Sequence, residues 1–200
     1  MTSSKPSVLL IETHPEPSRE KLAPYIHWLE PHFAVTNVYI AALESTIVEQ
    51  DAIVVTGSEW EILKNPVPEA LLRLYRETAK PLLGICWGHQ TLALAWGASI
   101  ISKPIIQTIE KMCVLKQDEF LDGMGETFYG FESHYEHVVR NPVLLEHFDV
   151  LASSPSCEVE AIRHKKRPLW GAQFHPERSG ELGMPFARNF YRIVEQLSCR

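Results

Sequence analysis

Apolar residues along the chain fall into short runs that alternate with stretches of helical spacing, a pattern that predicts strands joined by helices. "SVLLIE" (7–12) reads as a first strand, followed by a helix over 18–30 and a strand over 32–40. "DAIVVTG" (51–57) is a further strand, ending in a glycine as a strand-to-loop turn does. Residues 67–79 place Leu71, Leu74 and Tyr75 at helical spacing with a proline at the start. A strand over 81–85, a turn at Cys86 and a helix through Trp96 come next, and Gly97 is placed to stop that helix. This βαβ order favours parallel pairing. After about residue 99 the pattern changes to short strands broken by turn residues, which read as antiparallel hairpins decorating one end or edge of the sheet. "RPLWGAQFHPE" then returns a strand to the core, and the chain closes on a helix with Phe186, Phe190, Ile193, Val194 and Leu197 on one face. The expectation is a three-layer α/β sandwich with a mostly parallel central sheet and an added antiparallel hairpin region.

Length and composition narrow this picture. Two hundred residues, 45% hydrophobic and 22% charged, predict one domain over 1–200 that buries a full core. A net charge of −6 argues against a nonspecific nucleic-acid surface. The basic cluster "RHKKR" (163–167) lies between two apolar runs and reads as a solvated hairpin turn. Cysteines at 86, 113, 157 and 199 form no C-x-x-C pair, so a reduced, cytoplasmic setting without disulfides is expected. The apolar run at the N-terminus is too short for a signal peptide or a membrane span. No nucleic-acid or membrane partner is therefore anticipated.

Candidate chemistry centres on "PLLGICWGHQTLALAWG" (81–97). A residue on a sharp strand-to-helix turn needs neighbours without bulk two positions either side, and Gly84 and Gly88 occupy those positions around Cys86. G-x-C-x-G is the thiol counterpart of the nucleophile elbow. Amides at the start of the following helix favour a thiolate and can donate to a developing oxyanion, with Trp87 N–H the first such donor. The competing reading, a buried structural cysteine, is weakened by the flanking glycines at a strand end. A thiol nucleophile also needs a base, and the base needs an orienting acceptor. "WGAQFHPE" (170–177) supplies His175 at the end of a strand and Glu177 two residues on, linked by a stiffening proline.

"GICWGHQ" and, 89 residues after the cysteine, "QFHPE" resemble the two signature motifs of the class I glutamine amidotransferases. "CEVEAIRHKKRPLWGAQFHPE" and "SHYEHVVRNP" are similar in particular to the glutaminase component of GMP synthase and its free-standing relatives. The resemblance implies Cys86 as nucleophile, His175 as general acid/base and Glu177 as its orienter. It also implies backbone N–H groups of Gly57 and Trp87 as the oxyanion hole. Ser58, Gln90, Ser133, His134 and Tyr135 would line the substrate pocket, Ser133 and His134 through their backbone. The reaction implied is hydrolysis of glutamine through a γ-glutamyl thioester, with no cofactor, the ammonia passing to an acceptor enzyme on a separate chain. This sequence departs from the family pattern at "TGSEWEI", where a single glycine precedes Ser58, at Tyr135, where a glycine is usual, and at "IEKM" (109–112). The departures at "TGSEWEI" and "SHYEHV" keep open a stand-alone hydrolase of γ-glutamyl amines or peptides, and a third reading, of a different class, is a binding or regulatory module of the same fold with little catalysis.

Other signals are set aside. "HYEH" offers His134 and His137 three apart, half of a metal site, but in a strand-like stretch with no compensating cysteine or carboxylate cluster, so no metal is expected. "GMGETFYG" lacks the spacing of a dinucleotide fingerprint and reads as a turn. No Walker-type phosphate loop occurs.

Overall fold

The computed structural model describes residues 5–198, and its strands join into one nine-stranded sheet of order β2-β1-β3-β4-β9-β8-β7-β5-β6. In chain order the elements are β1 (Ser7–Glu12), α1 (Arg19–Leu29), β2 (Ala34–Tyr39), β3 (Ala52–Val55), α2 (Glu69–Glu77), β4 (Leu82–Ile85) and α3 (Trp87–Leu94). There follow β5 (Ile100–Val114), β6 (Thr127–Val138), α4 (Pro142–His147), β7 (Phe148–Ser153), β8 (Ala161–His164), β9 (Leu169–Ala172) and α5 (Met184–Ser198).

The sheet is mixed, which corrects the expectation of a mostly parallel one. Strands β2, β1, β3, β4 and β9 pair in parallel, whereas β9-β8, β8-β7, β7-β5 and β5-β6 all pair antiparallel. The reason is that βα alternation stops after α3. From there β5 pairs with β6, β7 with β8 and β8 with β9 as antiparallel neighbours in the chain. The helix α4 carries the chain from β6 to β7, and β7 pairs antiparallel with β5, so these strands continue the one sheet from β9 out to its β6 edge. The stretch read as several short strands from residue 99 is one long strand, β5, whose register with β6 shifts between Ser102 and Ile106. Pro104 lies inside that shift; with no N–H to give to a ladder, it belongs at such an irregularity.

Alternation along β1 and β3 assigns each residue to one of two cores. Val8, Leu10, Ala52 and Val54 pack with Leu22, Tyr25 and Trp28 of α1 and with Phe186, Phe190 and Ile193 of α5. Leu9, Ile11, Ile53 and Val55 pack on the opposite face with Leu71 and Tyr75 of α2 and Leu92 of α3. Strands buried on both faces read as unbroken apolar runs, as "SVLLIE" and "AIVV" do. The parallel half presents the carboxyl ends of β1, β3, β4 and β9 side by side, where an α/β sheet builds its sites. Of "RHKKR", Lys165, Lys166 and Arg167 lie in the β8–β9 turn as expected, whereas Arg163 and His164 end β8, with His164 buried and Arg163 over the Trp170 ring. Among the described residues no helix is long and apolar enough to cross a membrane, and Cys86, Cys113 and Cys157 are free thiols; Cys199 lies outside the described residues.

Candidate active site

The elbow at Cys86 follows from local sterics. With φ 51° and ψ −105°, Cys86 is the one non-glycine residue at positive φ among those described, a conformation that costs on the order of 1–3 kcal/mol and clusters at functional sites. Tight packing around the turn holds it there. A Cβ on Gly84 would stand 2.4 Å from the Gly88 carbonyl oxygen, and one on Gly88 would stand 2.6 Å from that of Val55. Cys86 N–H donates to Ala172 O of β9 at 2.7 Å, so the strand that leads to His175 is bonded to the residue His175 must meet.

Past β9 the chain turns, and His175 N–H donates to Phe131 O of β6 at 2.8 Å. Ser179 Oγ donates to His175 O at 2.7 Å and accepts from Phe131 N–H at 2.9 Å, locking the same corner. The His175 ring is buried with Nδ1 2.7 Å from Glu177 Oε1. Burial alone would depress the imidazolium, but the Glu177 carboxylate and the Cys86 sulfur outweigh it and hold the pKa well above the ordinary imidazole value. The side chains converge on Gly57: a Cβ there would lie 3.0 Å from His175 Cε1, 3.1 Å from Tyr25 Oη and 3.4 Å from Cys86 Cβ. A thiol beside an imidazole whose other nitrogen is held by a carboxylate is equipped for acyl transfer, with the imidazole moving protons onto and off the reacting group.

The remaining predicted residues divide. Trp87 opens α3, where an amide has no intrahelical acceptor. Gly57 N–H, by contrast, donates to Tyr25 Oη at 2.9 Å. Ser58 Oγ donates to Thr13 O at 2.6 Å and accepts from Trp60 N–H at 3.0 Å, so its hydroxyl shapes the loop. Gln90 is buried, its amide donating to Glu136 O at 2.7 Å and to Gln173 Oε1 at 3.1 Å. Ser133 turns its carbonyl toward Cys86 Sγ, 4.0 Å away. The His134 ring points into the protein, Nδ1 facing Glu136 O at 3.1 Å. Burial, with Glu61 and Glu136 nearby, pushes the Tyr135 phenol up to about 12, so it remains a neutral hydrogen-bond donor.

Two cavities flank the cysteine. A recess of about 360 Å³ holds Tyr25, Gly57, Glu59, His175 and Glu177. A much smaller one, about 40 Å³, lies between Ser58, Trp60, Gln90, Ser133 and Tyr135. Cys86 lines both.

A family model described as glutamine amidotransferase class-I matches residues 29–193. The chain belongs to that family. It is 33% identical over 153 residues to a glutamine-hydrolyzing GMP synthase subunit of Methanocaldococcus jannaschii, covering 76% of this chain and 77% of that one. It is 34% identical over 131 residues to the protein of the same name from Pyrococcus abyssi, covering 64% and 68%. A crystal structure of a candidate GMP synthase subunit from Thermoplasma acidophilum superposes with a TM-score of 0.81 at 25% identity, covering 95% of this chain and 96% of the other.

In this amidotransferase, sequence reasoning missed three residues around the cysteine and histidine. Tyr25 comes from α1, far upstream of either motif, and burial, with the Glu177 carboxylate acting the same way, raises its phenol well above the ordinary value. Glu136 fastens the loop after Gly57, its two oxygens accepting from Ile62 N–H at 2.8 Å and Leu63 N–H at 3.0 Å. Ser179 holds the His175 corner. Of these only Glu136 had a signal, a carboxylate inside "SHYEH".

Proposed function

We propose that the chain hydrolyses the side-chain amide of glutamine and delivers the ammonia to a synthetase on a separate chain. The observation that carries this reading is the His175–Glu177 contact of 2.7 Å beside a cysteine held at φ 51°. The Cys86 thiolate attacks the amide carbon, and the oxyanion draws on the Trp87 N–H. His175, as imidazolium, protonates the departing nitrogen, so ammonia leaves and a γ-glutamyl thioester remains. His175 then takes a proton from water, the hydroxide adds to the thioester, and glutamate and the thiolate are released. Glu177 keeps the imidazole in the tautomer that turns Nε2 toward the sulfur. Gly57 supplies the second oxyanion donor once its N–H exchanges the Tyr25 oxygen for the substrate's. Tyr135 and the Ser133 backbone bound the glutamine side of the thiol. The separate acceptor chain is supported by the relatives, each of which is named as one subunit of a GMP synthase.

The larger recess leaves room for one second reading, because about 360 Å³ beside the thiol admits a γ-glutamyl substrate larger than glutamine. A γ-glutamyl amine or peptide would use that room for its leaving group. Intact-mass spectrometry after incubation with a diazo-ketone analogue of glutamine tests the main proposal: one adduct on the protein and none on Cys86→Ser is expected. Full glutaminase turnover by Cys86→Ala would refute it. A substrate panel separates the readings, since faster turnover of γ-glutamyl amines than of glutamine would favour the hydrolase.

A further inference from the structure

Behind the strand that carries Ser133 lies a cluster the reaction does not use. His134 and His137 of β6 meet Cys157 from the β7–β8 turn, and one donor atom from each lies within 4.8 Å of the other two; all three residues are buried. The two imidazoles touch, ring centroids 4.5 Å apart. Against them stand Glu110, Glu132 and Glu160, with carboxylate oxygens within 4.8 Å of one another, and Glu132 Oε2 approaches His134 Nε2 to 2.9 Å without hydrogen-bond alignment. Both ring nitrogens of His137, Nε2 of His134 and all four oxygens of Glu132 and Glu160 find no hydrogen-bond partner, though both glutamates are fully buried. Buried polar groups are normally paired, and such a set calls for an explanation. Three carboxyl groups this close repel one another unless something neutralises them.

We propose that His134, His137 and Cys157 bind a divalent transition metal, with Glu132 as the fourth ligand. Two imidazoles, a thiolate and a carboxylate form a donor set suited to zinc and poor for magnesium or calcium. Orientation agrees with this assignment. His134 Nδ1 faces Glu136 O at 3.1 Å, and a proton donated there leaves the Nε2 lone pair turned into the cluster, the outer contact that metal-bound histidines make. Cys157 is held by its own turn: its N–H donates to Ser154 Oγ at 3.0 Å, and Ser154 N–H donates to its carbonyl at 2.8 Å. The neighbouring ammonium, that of Lys103, is engaged by Ser156 O at 3.3 Å. The metal reading of "HYEH" failed on sequence for want of a cysteine and carboxylates; the fold supplies both, from the β7–β8 turn and the adjoining strands. Metal here would staple that turn to β6 directly behind Ser133, a structural site with no open position.

Elemental analysis of the full chain, purified without a metal-affinity tag, is expected to find about one zinc per chain, and chelation followed by zinc should restore a raised Tm. Cobalt(II) added to the apo protein should give a thiolate-to-cobalt charge-transfer band that persists in Cys86→Ser and Cys113→Ser and disappears in Cys157→Ser. His137→Ala should weaken cobalt binding about 100-fold or more, beyond what loss of an outer partner costs. Wild-type protein that gives no such band, or a band lost in Cys86→Ser, would overturn the assignment. The wild-type, Cys86→Ser and Cys113→Ser spectra decide the matter even where Cys157→Ser does not fold.

Discussion

Replacing Glu177 by glutamine tests the proposed site most directly, because shape is kept while the charge that holds His175 is removed. His175 Nδ1 faces Glu177 Oε1 at 2.7 Å with both side chains buried. A hydrogen bond to a charged group is worth about 1.5–3 kcal/mol net, which at 1.36 kcal/mol per tenfold corresponds to a loss of about 10- to 150-fold in kcat/KM. If the glutamine amide turns its NH₂ toward Nδ1, the ring proton moves to Nε2 and the thiol loses its acceptor; the comparable change in a serine-protease triad lowers kcat about 10⁴-fold. The titration should move as well. Burial lowers the His175 pKa while Glu177 and then Cys86 raise it to a value well above the ordinary one. Without the carboxylate the burial effect gains ground, so the His175 Cε1–H resonance should titrate at lower pH in the variant, and the alkaline limb of kcat/KM should shift the same way. Stability carries the matching sign. A folded-state pKa above the unfolded value of about 6.5 contributes stability fully below that pH and loses it as pH rises through the folded value. The Tm gap between wild type and variant is therefore widest near pH 6 and narrows through the alkaline range. An imidazole that titrates identically in both proteins, with kcat/KM within twofold, would refute the coupling.

Three further substitutions probe the scaffold around the thiol. Gly84→Ala sets a Cβ 2.4 Å from a backbone oxygen, overpacking worth about 1–3 kcal/mol or about 2–12 °C in Tm; unchanged melting with full activity would show that the elbow has slack. Tyr25→Phe strips the acceptor from Gly57 N–H, so stability should fall by about 1–3 kcal/mol in denaturant unfolding while kcat for glutamine holds or rises; a collapse in kcat with stability intact would contradict the competition between Tyr25 and substrate for that amide. Glu136→Gln keeps at most one strong acceptor for the Ile62 and Leu63 amides, so both should exchange hydrogen faster and KM for glutamine should rise about tenfold, the equivalent of 1.4 kcal/mol; unchanged exchange would refute the clasp.

What the sequence disclosed about the fold depended on the range of the physics involved. β1, α2 and α5 were legible because apolar periodicity and flanking prolines are local signals, and the Cys86 turn was legible because its steric demand falls on residues only two positions away. Antiparallel pairing after residue 99 was legible from the turn residues, but its joining with the parallel strands into one sheet was not, since the β4–β9 and β5–β7 pairings link strands far apart in the chain. Nor was the length of β5, which runs on through its register shift around Pro104.

The same division runs through the site. His175 and Glu177 sit two residues apart and betray each other; Cys86 and His175 meet only because β4 and β9 are neighbours, with Cys86 N–H bonded to Ala172 O at 2.7 Å. Tyr25 had no local partner to give it away: its part depends on α1 packing over the carboxyl end of β3, so that a phenol otherwise read as core reaches the Gly57 amide. The loop from Gly57 to Leu63 shows why the departures at "TGSEWEI" and "SHYEHV" belong together. Ser58 ties the loop to Thr13 at one end, and Glu136, one residue past Tyr135, ties it to β6 at the other. A change on either side must be matched across a gap of more than seventy residues in sequence and one hydrogen bond in space. Substitution of Ser58 alone should therefore disturb the Tyr135 side of the small cavity, and a double-mutant cycle between Ser58 and Glu136 in KM for glutamine reads that coupling; strict additivity would mean that the two anchors act independently.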